Sequence, residues 1–556
     1  MTKPPPAGLP ESPSAGVPES PSAGVPAPPG AGVARIAGAA VLITVLTVAA
    51  RIAGFGRTFV FLQAVGKDGL ANLYGAANTI PNIVFELAAG GALASLVVPL
   101  LAGAVEAGDR DRVGEIASAL LTWVLTLMVP LAIIVALAAG PIAGLLHDVP
   151  PAHEEIAVRM LRVFAPQLPL YGIGIVLTGV LQAHHRFAWP VLAPLLSSVT
   201  VMGAYLTYAG LDGARSGFAG LTSGGELALS VGTTLGVVVL ALCLLIPLRR
   251  LGLRWRPSYR FPGGEGRQAV RLGWAGAVTV GAQQIVVALV IAFGSGDTGP
   301  LIRFSTAQTV FLLPWAVLAV PLATAVYPSL AQAVARRDET AYASTLAGTA
   351  RSVALLAGLG AAALMALAAP IAHLIRAPDA APGIVGFAPG LLGYALFALL
   401  SRALYARGAT IAAAAATAVG WGIAALAVLA VFATQAQERQ VLGLGLANAA
   451  GMSVIGGLLV LAVRRHAGAD ALAGLGRAVV VGIVAAGVAA LAGWGAVSGI
   501  GQLLGTPTVV GSLVQGMLGG LAVVAVFAAV AYPLDRRDLR PLAATVARRA
   551  GRRANR

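Results

Sequence analysis

Charged side chains are scarce in this sequence. Of 556 residues only 11% are Asp, Glu, Lys or Arg, whereas 58% are hydrophobic, and the mean hydropathy is +0.85. Soluble globular proteins carry about 25% charged and roughly 45–50% apolar residues. The composition therefore excludes an ordinary soluble enzyme, and it excludes disorder over most of the length. It predicts a polytopic membrane protein, since each span needs about 20 mainly apolar residues.

Residues that commonly carry enzyme chemistry are also few. Cys243 is the only cysteine, which excludes a disulfide scaffold, and the six histidines show no metal-ligand spacing. The sequence contains no Walker-type glycine loop, so we do not expect ATP hydrolysis. We therefore predict a transporter without a recognisable catalytic motif, a metal or a cofactor.

The apolar runs predict an all-α membrane protein with about 14 transmembrane helices. The 70 glycines and the low aromatic content of 6% favour closely packed helices. Prolines within the runs predict kinks or breaks, at Pro81, Pro99, Pro166, Pro169, Pro314 and Pro321. The expected spans are 36–64, 70–104, 113–146, 156–183, 188–210, 226–248, 269–293, 301–333, 343–375, 382–406, 409–433, 441–463, 476–498 and 508–534.

The net charge of +15 is unevenly distributed along the chain. If the N-terminus lies in the cytoplasm, most of the basic residues fall in cytoplasmic segments. The outer loops then hold only Lys67, Arg215, Arg303, Arg376 and Arg439. This distribution predicts both termini in the cytoplasm, and it favours anionic lipids over nucleic acid as partners.

The two ends of the chain differ in composition from the rest. Residues 1–33 are rich in Pro, Ser, Gly and Ala, and PESPSAGV occurs twice, at Pro10–Val17 and Pro18–Val25. We expect this cytoplasmic tail to be disordered. Residues 536–556 form a basic cytoplasmic tail that we expect to bind anionic lipid or a partner protein.

An internal repeat divides the membrane region. PLLAGAVEAGD at Pro99–Asp109 matches PSLAQAVARRD at Pro328–Asp338, and ALAAGPIAGL matches ALAAPIAHL further along both copies. The repeats lie six spans apart and so share one orientation, as in two-lobed transporters. We predict an N-lobe over 34–250, a basic linker over 251–268, a C-lobe over 269–466 and two added spans over 467–535.

Two arginines lie inside the first predicted span. Arg51 and Arg57 flank Gly54 and Gly56 in ARIAGFGR. An arginine at mid-membrane is costly, so it should face protein or water, and guanidinium groups suit phosphate and pyrophosphate. The pair is a candidate substrate site if the glycines loosen the helix. Alternatively, Arg51 is a structural ion-pair partner and Arg57 snorkels to the interface.

The second span carries a polar stripe. Asn78, Asn82 and Glu86 fall at i, i+4 and i+8, on one helix face. Glu86 should have a partner, and Arg51 or Arg57 is the nearest candidate in sequence. The stripe either lines a wet cavity or joins helices by hydrogen bonds. In the second lobe, Gln283, Gln284 and Gln308 are further candidates for substrate binding.

Four segments resemble the lipid II flippases of peptidoglycan synthesis, the MurJ (MviN) family. They are ARIAGFGR, IPN at Ile80–Asn82 followed by GGALASLVVPLLA, GVLQAHHRFAWPVLAPLL at Gly179–Leu196, and LYARG at Leu404–Gly408. The family is related to the multidrug and polysaccharide exporters, with two six-helix lobes and two extra helices. The resemblance implies transport of undecaprenyl-pyrophosphate-linked disaccharide-pentapeptide to the outer leaflet by alternating access, with roles in cell wall biogenesis and cell shape.

The resemblance also implies site residues, and here the sequence departs from the family. Arg51 and Arg57 match two cavity arginines. Phe85 and Glu86 stand where the family has a basic pair, Thr309 stands where it has an arginine, and Asn72 replaces an acidic residue. These departures leave open a flippase for another polyprenyl-linked glycan, or a non-transporting scaffold for envelope assembly. Cell-wall synthesis proteins are candidate partners in each case.

Overall fold

The computed structural model describes residues 31–87, 91–184, 186–253, 255–260, 265–505 and 508–534. Within these residues the chain is all-α and contains no strand, which confirms the predicted fold class. The repeated PESPSAGV segments, His185 and the basic tail 536–556 lie outside the described residues. The first helix begins at Ala31, inside the segment predicted as a tail and just after the last of its prolines.

The helices before the basic linker form an N-terminal group, in which α8 packs against α1 and α9, and α7 packs against α3 and α4. Their bounds are α1 Ala31–Ala64, α2 Leu70–Phe85, α3 Gly91–Glu106, α4 Arg110–Leu137, α5 Ala139–Ala143, α6 Pro151–Phe164, α7 Gln167–Ala183, α8 Ala188–Asp212, α9 Ser223–Leu242 and α10 Leu245–Arg249.

The helices after the linker form a C-terminal group, followed by two last helices that pack on each other and on α14. The group comprises α11 Glu265–Gly294, α12 Leu301–Pro314, α13 Val320–Ala335, α14 Glu339–Leu374, α15 Ala381–Phe387, α16 Gly390–Ala406, α17 Thr410–Thr434 and α18 Gln437–Ala467. The last two helices are α19 Leu475–Leu504 and α20 Val509–Leu534.

Ten helices or joined helices of the described chain are long and apolar enough to cross a membrane. An eleventh results if α16 and the short helical segment before it, which meet at 56°, form one bent span. The structure thus shows a polytopic helical membrane protein. The total of 14 spans stays a prediction.

Several of the predicted breaks lie at proline. Pro166 separates α6 from α7, and Pro314 ends α12 just before a π-helical turn at Trp315–Ala319. Pro321 follows directly after the π-helical turn, in the first turn of α13. Pro81, in contrast, lies inside the continuous helix α2. The π-helical turn after Pro314 is therefore one irregularity of the C-terminal group, and the 56° bend before α16 is another.

The aspartates that close the two copies of the repeat make the same local structure. Asp109 caps α4 by accepting a hydrogen bond from Arg112 N at 3.0 Å, and Asp338 caps α14 by accepting one from Ala341 N at 2.8 Å. The residue before each aspartate has a positive φ, 69° at Gly108 and 56° at Arg337. The repeat therefore encodes one turn and helix start, used twice.

The basic linker is attached to the N-terminal group. Its backbone N–H groups at Arg256 and Ser258 donate to Ser118 Oγ at 3.0 Å and Thr122 Oγ1 at 3.2 Å. Tyr259 accepts a hydrogen bond from Trp123 Nε1 at 3.1 Å, and its hydroxyl lies 2.9 Å from Thr126 Oγ1. The aromatic ring of Tyr259 also packs edge-on against Trp123. Hydroxyl groups on one face of α4 thus hold the linker against the protein.

The turns between helices lie at two ends of the bundle. The basic end carries the turns at Asp109, Asp338 and Arg407, where Arg407 forms a salt bridge with Glu339 at 2.6 Å. The opposite end carries the turns near Lys67, Asp297 and Arg376. The charge distribution predicts that the basic end faces the cytoplasm.

Candidate functional site

The N-terminal and C-terminal groups meet at the opposite end through Asn72. This side chain is fully buried on α2. Its Nδ2 donates to the carbonyls of Gly296 and Gly299, both at 3.0 Å, and its Oδ1 accepts from Ile302 N at 3.0 Å. One side chain thus satisfies three backbone groups at the start of α12, including an N–H that the helix cannot satisfy itself. We call this contact the α2–α12 closure.

Polar contacts surround the α2–α12 closure. Arg303 on α12 forms a salt bridge with Asp68 at 2.7 Å, and the Gly69 N–H donates to the Asp297 carbonyl at 2.6 Å. Lys67 forms a further salt bridge with Asp379. Near the first turn of α2, a Cβ added at Gly75 would lie only 2.7 Å from Ile302 Cδ1. The opposite end of the bundle is therefore shut by contacts between the two groups.

The two arginines of the first span lie on a helix that is not interrupted. The helix α1 runs through Gly54 and Gly56, so the unwinding that would aim Arg51 and Arg57 at one point is not present. Both side chains are exposed, and neither has a hydrogen bond or ion pair with another described residue. The predicted pair is thus two separate, uncompensated charges on one helix.

Arg57 belongs to a polar and aromatic environment inside the N-terminal group. It lies within electrostatic range of Tyr74 on α2, Tyr171 on α7 and Tyr205 on α8. The Tyr74 hydroxyl lies 3.0 Å from that of Tyr205 and 2.7 Å from Thr233 Oγ1. Arg57 is therefore an exposed cation near the hydroxyl groups of buried and half-buried tyrosines on three helices.

The stripe on α2 is half-buried rather than fully packed. Asn78, Asn82 and Glu86 all have intermediate exposure. The Oδ1 atom of Asn78 is buried and has no hydrogen-bond partner among the described residues. The predicted ion pair is wrong, because no salt bridge joins Glu86 to Arg51 or Arg57.

The position of Glu86 explains the missing ion pair. It follows the last residue of α2, and its N–H donates to both Asn82 O and Ile83 O. The next residue, Leu87, lies against α11, with its Cδ2 at 3.5 Å from a Cβ placed on Gly281. The chain at Glu86 has therefore turned toward the C-terminal group, whereas the expectation relied on proximity in sequence.

The glutamines of the second half lie on α11 and α12, two helices of the C-terminal group that contact α2. Gln283 and Gln284 follow Gly281 on α11, and Gln308 is on α12, all with intermediate exposure. Thr309, at the position where the resembling family has an arginine, donates its hydroxyl hydrogen bond to Ser305 O at 2.9 Å. No side-chain hydrogen bond or ion pair joins any two of the eight predicted residues within the described chain.

Two features of this site were not predicted from the sequence. Asn72 appeared there only as a departure from a family pattern, although a polar residue at the end of an apolar run was a usable signal. The cluster of hydroxyl groups could not be predicted in this way, because its members Tyr74, Tyr205 and Thr233 lie on three helices that are far apart in sequence.

Comparison with known proteins places these features in context. The family model described as lipid II flippase MurJ matches residues 62–517. A lipid II flippase MurJ of Burkholderia cenocepacia is 26% identical over 395 residues, which cover 66% of this chain and 73% of that protein. Probable lipid II flippases of Rhizobium tropici and Rhizobium meliloti are each 27% identical. The chain spans only 54% and 61% of the length of these two Rhizobium proteins.

Solved structures share the fold. A lipid II flippase MurJ in an inward closed conformation aligns with a TM-score of 0.66 at 16% identity, covering 89% of this chain and 99% of that one. An inward-facing multidrug resistance MATE family transporter aligns with a TM-score of 0.60 at 15% identity, covering 78% and 98%. Because the family model matches most of the sequence and the fold agrees, this chain belongs to the lipid II flippase MurJ family.

Proposed function

We propose that this protein carries lipid II from the inner to the outer leaflet of the bacterial plasma membrane. The observation that supports the proposal is the pair of arginines on α1, exposed within an apolar helix and without an anionic partner among the described residues. A pyrophosphate-linked lipid would supply the missing negative charge, and guanidinium groups bind phosphate oxygens strongly.

The α2–α12 closure supports transport by alternating access. Beside the apolar packing between the two groups, it joins them through one buried asparagine and two salt bridges. Such polar contacts can exchange for water when the two groups rock apart, because water satisfies the same donors and acceptors. In this proposal the cargo enters from the basic end, which faces the cytoplasm, and leaves when the α2–α12 closure opens.

A second candidate is a flippase for another polyprenyl-linked glycan. Thr309 makes its hydrogen bond within its own helix, and Phe85 and Glu86 supply no positive charge. The cargo site therefore has fewer cations than the resemblance implies. A pyrophosphate would still bind Arg51 and Arg57, while the part of the headgroup beyond it could differ.

Depletion of the protein in cells tests which lipid-linked precursor it carries. We expect lipid II to accumulate on the cytoplasmic side, and we expect Arg57→Ala to fail to restore its export. The matched control is Arg439→Ala, an exposed arginine in the first turn of α18. The measurement is the amount of each precursor that remains accessible from the cytoplasm.

The alternatives give different outcomes in the same experiment. Accumulation of another polyprenyl-linked glycan would support the second candidate instead. A complete lack of precursor accumulation would contradict transport and favour a scaffold for envelope assembly, with cell-wall synthesis proteins as partners.

A further inference from the structure

A groove opens between two helices that follow each other in the chain. A 3-10 turn at Asp470–Leu472 connects α18 to α19. Antiparallel helices joined by a short connection usually pack together. Here α19 instead packs on α14 and α20, while α18 packs on α16 and α17, and α18 and α19 hardly touch. The wedge between them forms a cavity of about 820 Å³.

Small residues shape this groove, which we call the α18–α19 groove. Its lining includes Gly457 on α18 and Gly476 and Gly487 on α19. A Cβ added at any of these three glycines would have no heavy atom within 4 Å, so they border open space rather than a packed contact. Ile483, also in the lining, is 59% exposed. The groove therefore opens sideways, toward the bilayer.

One cation lies at one end of an otherwise apolar lining. Arg464 and Ser453 are the only lining residues with polar side chains, and no acidic residue lines the groove in the described chain. Arg464 is exposed in the last turn of α18, at the basic end, and has no salt bridge among the described residues. The nearest acidic residue in sequence is Asp470, in the connecting turn.

The length of the groove matches one leaflet. From Arg464 to Ser453 it follows α18 for about 16 Å at 1.5 Å per residue. Half of the hydrocarbon core of a bilayer is about 15 Å thick. A lipid chain lying in the groove would thus reach from the basic end to the middle of the membrane.

We propose that the α18–α19 groove binds an anionic phospholipid of the leaflet at the basic end, with its headgroup at Arg464 and an acyl chain between the two helices. Chain burial supplies binding strength, and the arginine selects negative headgroups. None of the eight predicted site residues, and none of the helices α1, α2, α11 and α12, lines this groove. The occupant is therefore a lipid of the bilayer and not the cargo.

Electron paramagnetic resonance of spin-labelled lipids tests this proposal on the full-length protein. The protein is reconstituted in phosphatidylcholine vesicles that contain a minor fraction of phosphatidylglycerol. In one sample the spin label is on the acyl chain of phosphatidylglycerol, and in the comparison sample it is on the acyl chain of phosphatidylcholine. We expect a motionally restricted component that prefers phosphatidylglycerol about fivefold, the effect of one interfacial arginine. Arg464→Gln should remove this preference, whereas the neighbouring Arg465→Gln should keep it.

A second pair of variants tests whether an acyl chain of the lipid binds in the α18–α19 groove. Gly487→Leu fills the groove and should remove the part of the restricted component that prefers phosphatidylglycerol, while lipid around the rest of the protein stays restricted. Gly495→Leu, on the same helix with open space around its Cβ but outside the lining, should leave that part intact. Equal behaviour within either pair, or no preference in the unaltered protein, would overturn the proposal. Displacement of the label by added lipid II would also overturn it, since the groove would then belong to the cargo.

Discussion

At the scale of single residues, the most informative position is Asn72. An amide both donates and accepts hydrogen bonds, so it can satisfy two carbonyls and one N–H at once. A carboxylate could accept from Ile302 N but would donate to neither carbonyl. The asparagine therefore forms a closure that an ionised acidic residue cannot form in the same geometry.

Replacing Asn72 by Ala should loosen the α2–α12 closure. Each backbone group left buried without a partner costs about 1–3 kcal/mol, so the closed arrangement should be disfavoured at least about tenfold. The probe is Ser295→Cys in a Cys243→Ser background, because Ser295 is only 1% exposed. We expect a membrane-impermeant maleimide added outside to label this cysteine slowly, and about ten times faster with Asn72→Ala.

Two further variants check the interpretation of that labelling. Asn448→Ala removes another buried asparagine, one that donates to Leu444 O within its own helix, and should leave labelling slow. Asn72→Asp should speed labelling at neutral pH and slow it as the carboxyl protonates, since a protonated acid can donate one hydrogen bond. Unchanged labelling in Asn72→Ala would mean that this residue does not hold the two groups together.

At the scale of elements, hydropathy and proline positions predicted much of the fold, because span length and helix breaking are local properties. The helix starts at Asp109 and Asp338 could be read from the repeat for the same reason. The lack of an ion pair between Glu86 and Arg51 or Arg57 could not, because proximity in sequence does not determine proximity in space. The contacts of the linker could not be predicted either, because they depend on hydroxyl groups of α4 that lie more than 130 residues earlier.

The attachment of the linker to α4 can be tested by proteolysis. Thr122→Ala combined with Trp123→Phe removes acceptors and donors for Ser258 N and Tyr259 O. We expect trypsin to cleave after Arg260 several times faster in this variant, since net hydrogen bonds contribute about 0.5–1.5 kcal/mol each. Thr200→Ala, which removes a hydroxyl bonded only to its own helix, is the matched control. Equal cleavage in both variants would show that the linker is held elsewhere.

At the scale of the whole molecule, two groups of helices meet at a polar closure, and uncompensated arginines lie on α1 between the two ends of the bundle. Membership in the lipid II flippase MurJ family could be anticipated from short motifs, because they lie at turns and within the first spans. The arrangement of the site could not, because Arg51 and Arg57 stay apart on a continuous helix and Glu86 forms no ion pair with either of them. Transport as proposed therefore requires that the two arginines bind the cargo rather than interact with each other.

The most direct test is lipid II translocation in vesicles containing the purified protein. We expect the unaltered protein to transfer lipid II between leaflets. The transfer rate should fall at least about tenfold in Arg51→Ala and in Arg57→Ala, since each variant removes charge-assisted hydrogen bonds of about 1.5–3 kcal/mol. Arg439→Ala should transport normally. Transfer at the unaltered rate in both α1 variants would contradict the claim that these two arginines bind the cargo.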